Sequence, residues 1–145
     1  MPERIVAEIS AADRIEIHEM VTAYGVHHDA RDFVRLRDCF TEDATYVMRL
    51  ADGTVHGPRV GADAIVAQIK TFKDGQDDRR RHHISNIQVT AISEDQASAE
   101  SYVLVSVVSD NKLTIMTVGA YTDTLVRTEG KWRISSKELL LDLGF

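Results

Sequence analysis

A chain of 145 residues with 43% hydrophobic content holds enough apolar material for one core and too little for two, which predicts one domain. The formal charge of -6 is spread along the chain rather than gathered into a tail, so a nucleic acid or other polyanion is not an expected partner. A lone cysteine excludes an intramolecular disulfide, no apolar run approaches the roughly 20 residues of a membrane span, and residues 1–10 carry acidic side chains where a signal peptide would be apolar, so the cytoplasm is the expected compartment.

Ser10, with Asp13 three residues on, resembles a capping box, and Ile17, Met20, Val21, Tyr24 and His28 then recur at helical spacing, which predicts a helix over 11–28. Asp32 suits the N-cap of a second, short helix in which Phe33, Leu36, Cys39 and Phe40 share a face. Cys39 then falls in the core and Asp29 at the junction of the two helices. Residues 44–50 read as a strand, Asp52-Gly53 as a hairpin turn and 54–56 as the start of a return strand that Gly57-Pro58 should stop. A third helix is expected from about Ala62, with Ile65, Ile69 and Phe72 one turn apart, ending near Gly75. Arg79, Arg80 and Arg81 follow Asp77-Asp78 at once, an alternation of charge that marks a solvated loop rather than a phosphate footprint.

From His82 onward, turns at Glu94-Asp95, Asp110-Asn111 and Glu129-Gly130 divide the chain into four long segments, an antiparallel meander. Such lengths exceed an ordinary strand and predict bends or bulges. In the segment 98–108, Val103, Val105 and Val107 alternate with Tyr102 and Leu104, and Val108 joins the latter face, so both faces read as buried. Helices can cover only one side. A second copy of the chain, in a homodimer or homotrimer, is the simplest cover for the other.

The order helix, helix, hairpin, helix and four-stranded meander, together with particular stretches, resembles the SnoaL-like (nuclear transport factor 2-like) superfamily. The stretches are Ala12 to Glu19, Tyr24, Asp29 to Phe33, Cys39 to Ala44, the helix start Gly61 to Ile65, His82 to Asn86, and Gly130 to Ile134. The resemblance implies an α+β, cone-shaped fold: three N-terminal helices packed on a strongly curved mixed, mainly antiparallel sheet that encloses a pocket for a small molecule. The similarity is greatest to the branch containing scytalone dehydratase, the bile-acid 7α-dehydratase and the hexachlorocyclohexane dehydrochlorinase. That branch is characterised by an aspartate at the end of the first helix and a histidine at the start of the third strand. Asp29 and His82 stand at those positions. Other members do different chemistry or none, so the fold alone does not fix an activity.

The chemistry of the pair also stands on its own. A carboxylate bonded to one imidazole nitrogen fixes the tautomer and favours the protonated ring, leaving the other nitrogen as a base near neutral pH. The resemblance adds Tyr24, whose hydroxyl would polarise a substrate oxygen; a core aromatic with a satisfied hydroxyl fits the same position equally well. His83 competes with His82, since neighbouring strand residues face opposite ways, and alternation does not choose between them; the family register favours His82. His28 stands immediately before Asp29 where scytalone dehydratase has a tyrosine. Tyr46, Asn86 and Tyr102 are candidate pocket walls. Arg127 lies where the dehydrochlorinase also has an arginine and would hold an anion, although an arginine beside a turn is more often solvated.

His27, His28, Asp29, His82 and His83 contain the makings of a two-imidazole, one-carboxylate metal centre, but no strong metal spacing is present and the dehydratases are not characterised by a cofactor. No metal or cofactor is expected. The expected activity is therefore a cofactor-independent lyase or isomerase that abstracts a proton from a small, mostly apolar cyclic substrate. The alternative is a noncatalytic ligand-binding or assembly module resembling the small subunit of a ring-hydroxylating dioxygenase.

Overall fold

The computed structural model describes residues 8–144; the acidic segment 1–7, on which the signal-peptide reading partly rests, lies outside them. Three helices precede and interrupt a six-stranded sheet. They are α1 (Ala11–Asp29), α2 (Phe33–Asp38) and α3 (Ala62–Asp74), and the strands are β1 (Phe40–Leu50), β2 (Val55–Val60), β3 (Arg79–Ser93), β4 (Gln96–Ser109), β5 (Lys112–Thr128) and β6 (Lys131–Leu141). The strand order is β2-β1-β6-β5-β4-β3. Every neighbouring pair is antiparallel except β1 with β6, which makes the sheet mixed, as the α+β reading predicts.

Ser10 caps α1 by accepting from the Asp13 N–H at 3.0 Å. The reciprocal half of a capping box is missing, because the Asp13 carboxylate accepts instead from the Trp132 indole and from Arg127. Glu16 accepts from the Trp132 backbone N–H, so the start of α1 is bound to the start of β6. Asp32 caps α2 as expected, accepting from the Arg35 N–H. The shared face predicted there is cut short: Cys39 is the C-cap and Phe40 already opens β1, four residues before the predicted strand. Both are buried nonetheless. Burial also pushes the Cys39 thiol up to about 11, which makes it a poor nucleophile.

Gly57-Pro58 does not stop β2. The strand runs on to Val60 because it is the edge of the sheet, where one row of N–H groups has no ladder partner and proline is tolerated. The cost is a slip in register: Met48 faces His56, whereas Tyr46 faces Arg59. The arginine run is likewise not a loop but the first turn-free stretch of β3, with Arg79 and Arg81 exposed and Arg80 turned inward.

The long meander strands bend at bulges, as their length requires. The one in β3 has the largest effect on placement. Asn86 takes a φ of +55° and the pairing with β4 shifts between Ser85 and Gln88. Before it, Arg80, His82 and Ile84 face inward; after it, Ile87, Val89 and Ala91 do. Helices α1 and α3 lie on this inner face, α1 against β3 and β6 and α3 against β1. Gly25 lets α1 come close, since a Cβ there would lie 3.0 Å from Ile84 Cδ1 and 3.2 Å from His82 Cβ. The core between them is built from Ile17, Val21, Leu36, Leu125, Trp132 and Ile134, all 0% exposed.

Within one copy of the chain the inner face of the sheet is the buried one. In a single copy of the chain Tyr102, Val108, Leu113, Ile115, Val118 and Leu140 are exposed on the outer side. No helix among the described residues is long and apolar enough to cross a membrane.

Candidate active site

Asp29 is the last residue of α1 and His82 is the fourth residue of β3. The His82 N–H donates to Asp29 Oδ2 at 2.8 Å, and His82 Nδ1 lies 2.6 Å from Asp29 Oδ1. The side chains are 12% and 8% exposed. Burial would raise the Asp29 carboxyl, but the two hydrogen bonds from His82 and the imidazole charge outweigh it and hold the group below the ordinary carboxylate range. A carboxylate bound at both oxygens by one residue fixes that residue's ring. The proton sits on Nδ1, assigned from this network, and Nε2 is left without a partner among the described residues.

His82 lines a cavity of about 100 Å3 whose wall surface is mainly apolar, with Met48, Ile65, Ile69, Val103, Val105 and Leu139 on it. The side chains on it that carry polar atoms are Tyr24, His28, Tyr46, Tyr121, Thr117, Gln68, Gln76, Arg59 and Arg80 besides His82. That composition, apolar wall surface with convergent polar groups, is the pattern of a small-molecule site. Two of those groups carry a buried polar atom with no hydrogen-bond partner among the described residues, His28 Nδ1 and Gln76 Oε1. Such atoms are costly unless a ligand or water meets them.

Tyr24, Tyr46 and Tyr121 all keep their protons. Burial is the main cause; it lifts Tyr46 to about 12 and Tyr24 and Tyr121 well above the ordinary phenol value, with the neighbouring tyrosines adding to the rise at Tyr24. They can therefore donate to a substrate oxygen, which is the role the sequence suggests for Tyr24. Beneath them lies an ion pair, Lys137 and Asp123, with both side chains 0% exposed and Nζ–O distances of 2.9 and 3.1 Å. The ammonium is 4.3 Å from the Tyr24 ring centroid and 3.9 Å from that of Tyr121.

The His28 ring is 4.3 Å from that of His82, centroid to centroid. Burial takes His28 from its ordinary 6.5 down to about 3, with the charges of His82 and Lys73 adding to the shift. It is thus a neutral imidazole. A stability consequence follows by linkage: the unfolded chain takes up a proton on His28 below 6.5, and the folded one does not until about 3. Stability should be fully present above 6.5 and fall as the pH drops towards 3, and urea titrations should show a flatter acid side in His28→Leu. An identical slope in both proteins between about pH 6.5 and about pH 5 would assign the loss elsewhere.

Of the residues selected from the sequence, the structure brings Asp29, His82, Tyr24, His28 and Tyr46 together. His83 points to the outer face, with Nε2 2.8 Å from Ser106 Oγ. Three candidates lie away from the cavity. Asn86 is the bulge residue, exposed and accepting from the Ser85 hydroxyl, so the alternation that grouped it with His82 breaks at that point. Tyr102 is 58% exposed on the outer face, since the inward phase of β4 is set by Val103 and Val105. Arg127 clamps the far end of α1, donating to Asp13 and to the Glu94 carbonyl and stacking over Trp132 at 5.0 Å. Missed were Tyr121, on the inward phase of β5, and the Asp123–Lys137 pair. Alternation along β5 would have found Tyr121 and Asp123, whereas the inward phase of β6 shifts between Ile134 and Lys137 and hides the lysine.

His28, Asp29 and His82 each offer a metal-ligating atom, all within 4.8 Å of one another. Both Asp29 oxygens, however, are engaged by His82. The carboxylate would have to leave the imidazole to reach an ion, so the donor set fits a dyad better than a three-ligand centre.

The fold and a buried dyad facing one cavity define a class, and residues 10–138 match the SnoaL-like domain: the chain belongs to that family. Among characterised proteins it is similar to the small subunit of anthranilate 1,2-dioxygenase from Burkholderia cepacia, 28% identical over 138 residues that cover 88% of this chain and 85% of that one. Among solved structures it is similar to a protein from Novosphingobium aromaticivorans provisionally named a scytalone dehydratase (TM-score 0.74, 25% identity, 91% of this chain and 85% of the other). It shares its fold with the beta subunit of a provisionally named aromatic-ring-hydroxylating dioxygenase from the same organism (TM-score 0.79, 19% identity, 94% of each chain).

Proposed function

We propose that this protein is a cofactor-independent lyase or isomerase that abstracts a proton from a small, mostly apolar cyclic molecule. The observation that carries the reading is the His82 ring, fixed at Nδ1 by Asp29 and lining the apolar cavity with Nε2 unpartnered. In this role Nε2 takes the proton, Asp29 stabilises the imidazolium that results, and the Tyr24 hydroxyl donates to the substrate oxygen on which charge collects. His82 then returns the proton, either to another carbon or to a departing hydroxyl. The orphaned atoms of His28 and Gln76 are available to a polar group of the ligand.

The test is deuterium exchange. A panel of apolar cyclic ketones in heavy water, followed by NMR, should include compounds whose α-protons exchange far faster with the protein than with buffer, and His82→Gln should abolish the acceleration. Exchange at the buffer rate across the panel would sink the proposal.

A second reading, one subunit of a larger assembly, is favoured by a different observation. The exposed apolar face of β4 and β5 has the character of an interface, and the curated relative is named as a dioxygenase small subunit. A homodimer or homotrimer would cover that face within the first reading. Stable association only with a larger, metal-containing subunit, with no exchange activity, would put the assembly role ahead.

A further inference from the structure

The cavity changes character along its length. Beside His82 the charged side chain on the wall, Arg80, is paired with Asp78, and Tyr24, His28 and Gln76 are neutral donors and acceptors. Towards β2 it meets a second recess of about 270 Å3, and the two share Tyr46, Met48, Arg59, Gln68 and Phe72. Arg59 therefore stands where the chamber meets the opening, opposite Tyr46 in the β1–β2 ladder.

Its guanidinium is unclaimed. Among the described residues no carboxylate lies within 4.0 Å of Arg59, nor of Arg14, Arg49, Arg79 and Arg81, which do not line either recess, whereas Arg31, Arg35, Arg37, Arg80, Arg127 and Arg133 each have one. Arg80, the other arginine on the cavity, is held by Asp78 through two contacts at 2.9 and 3.2 Å. In a chain of net charge -6, the mouth of the cavity is thus a locally positive place, with a planar five-donor fork free to take a planar anion.

We propose that the ligand of this cavity is an apolar ring compound bearing a carboxylate, with the ring against His82 and the carboxylate on Arg59. The inference rests on the reading of the cavity as a small-molecule site, and it does not require turnover to be tested. An acid so placed would orient the ring before any proton moves and would exclude neutral hydrocarbons of the same shape. The guanidinium pairs with it at the edge of water, so the interaction adds selectivity without burying an uncompensated charge.

Isothermal titration with 2-naphthoate and 2-naphthamide, which share a ring and differ in charge, decides it. The acid should bind roughly tenfold more tightly at low salt, as one charge-assisted fork implies, and its advantage should shrink as sodium chloride is added. Arg59→Gln should erase the preference, the acid losing much more affinity than the amide. Arg59→Lys should keep part of it, since the charge remains and the fork does not. Equal binding of acid and amide by the wild type, a preference that survives Arg59→Gln, or no binding of either compound would each overturn the proposal. Loss of the deuterium-exchange activity from consideration, with the acid preference intact and Arg59-dependent, would remove the proton-transfer reading and leave this one standing.

Discussion

Asp29→Asn should lower the deuterium-exchange rate by about 10²- to 10⁴-fold, the range over which a positioned general base contributes, while the melting temperature stays close to that of the wild type. The amide is the same shape and can still accept from the His82 N–H that now bonds Oδ2 at 2.8 Å. Lost is the negative charge against Nδ1. An amide can also present its NH2 to Nδ1, which forces the opposite tautomer and puts the proton on the nitrogen that must accept one. Full activity in a well-folded Asp29→Asn protein would remove the dyad from the mechanism.

The largest stability effect is expected at the buried pair beneath the tyrosines. Burial pushes Asp123 up and Lys137 down, each towards its neutral form, and their contact opposes both shifts. Removing one partner leaves the other stranded in a dry environment. Asp123→Ala should therefore cost about 3–5 kcal/mol, read as a fall in the urea midpoint, whereas Asp123→Leu combined with Lys137→Met should recover most of it, because the desolvation penalty disappears with the charges. Should the single and the double variant be equally destabilised, the loss would come from packing rather than from the orphaned ammonium. Exchange activity in the double variant reports separately on the ammonium under Tyr24: unchanged activity assigns the pair to stability alone.

Much of this arrangement was legible in local pattern. The helix over 11–28, the Asp32 cap, the Asp52-Gly53 hairpin and the three meander turns follow from spacing and turn chemistry that act within a few residues, and the structure has them where they are expected. Errors arose where a local signal was overruled by position in the sheet. Gly57-Pro58 breaks a central strand but not an edge. Both faces of β4 carry valine and leucine, and nothing in the alternation says which face is covered within one copy of the chain. The pairing of Asp29 with His82, 53 residues apart, came from resemblance and from the chemistry of the two groups rather than from periodicity. The wall residues taken from that reasoning fared unevenly. Tyr46 is on the cavity, while Asn86 and Tyr102 are not, because a single-residue bulge and the opposite phase of a strand are invisible to residue type.

The bulge at Asn86 also makes β3 a strand with two clocks. Its first half delivers Arg80 and His82 to the cavity, and its second half delivers Ile87 and Val89 to the core, one count out of step. Loops at either end of the strand can gain or lose residues with no effect on that timing. Between His82 and Val89 a change of one residue would turn either the cavity set or the core set towards water. The spacing of this stretch is therefore as much a part of the proposed site as the histidine itself, although no atom of Asn86 takes part in it.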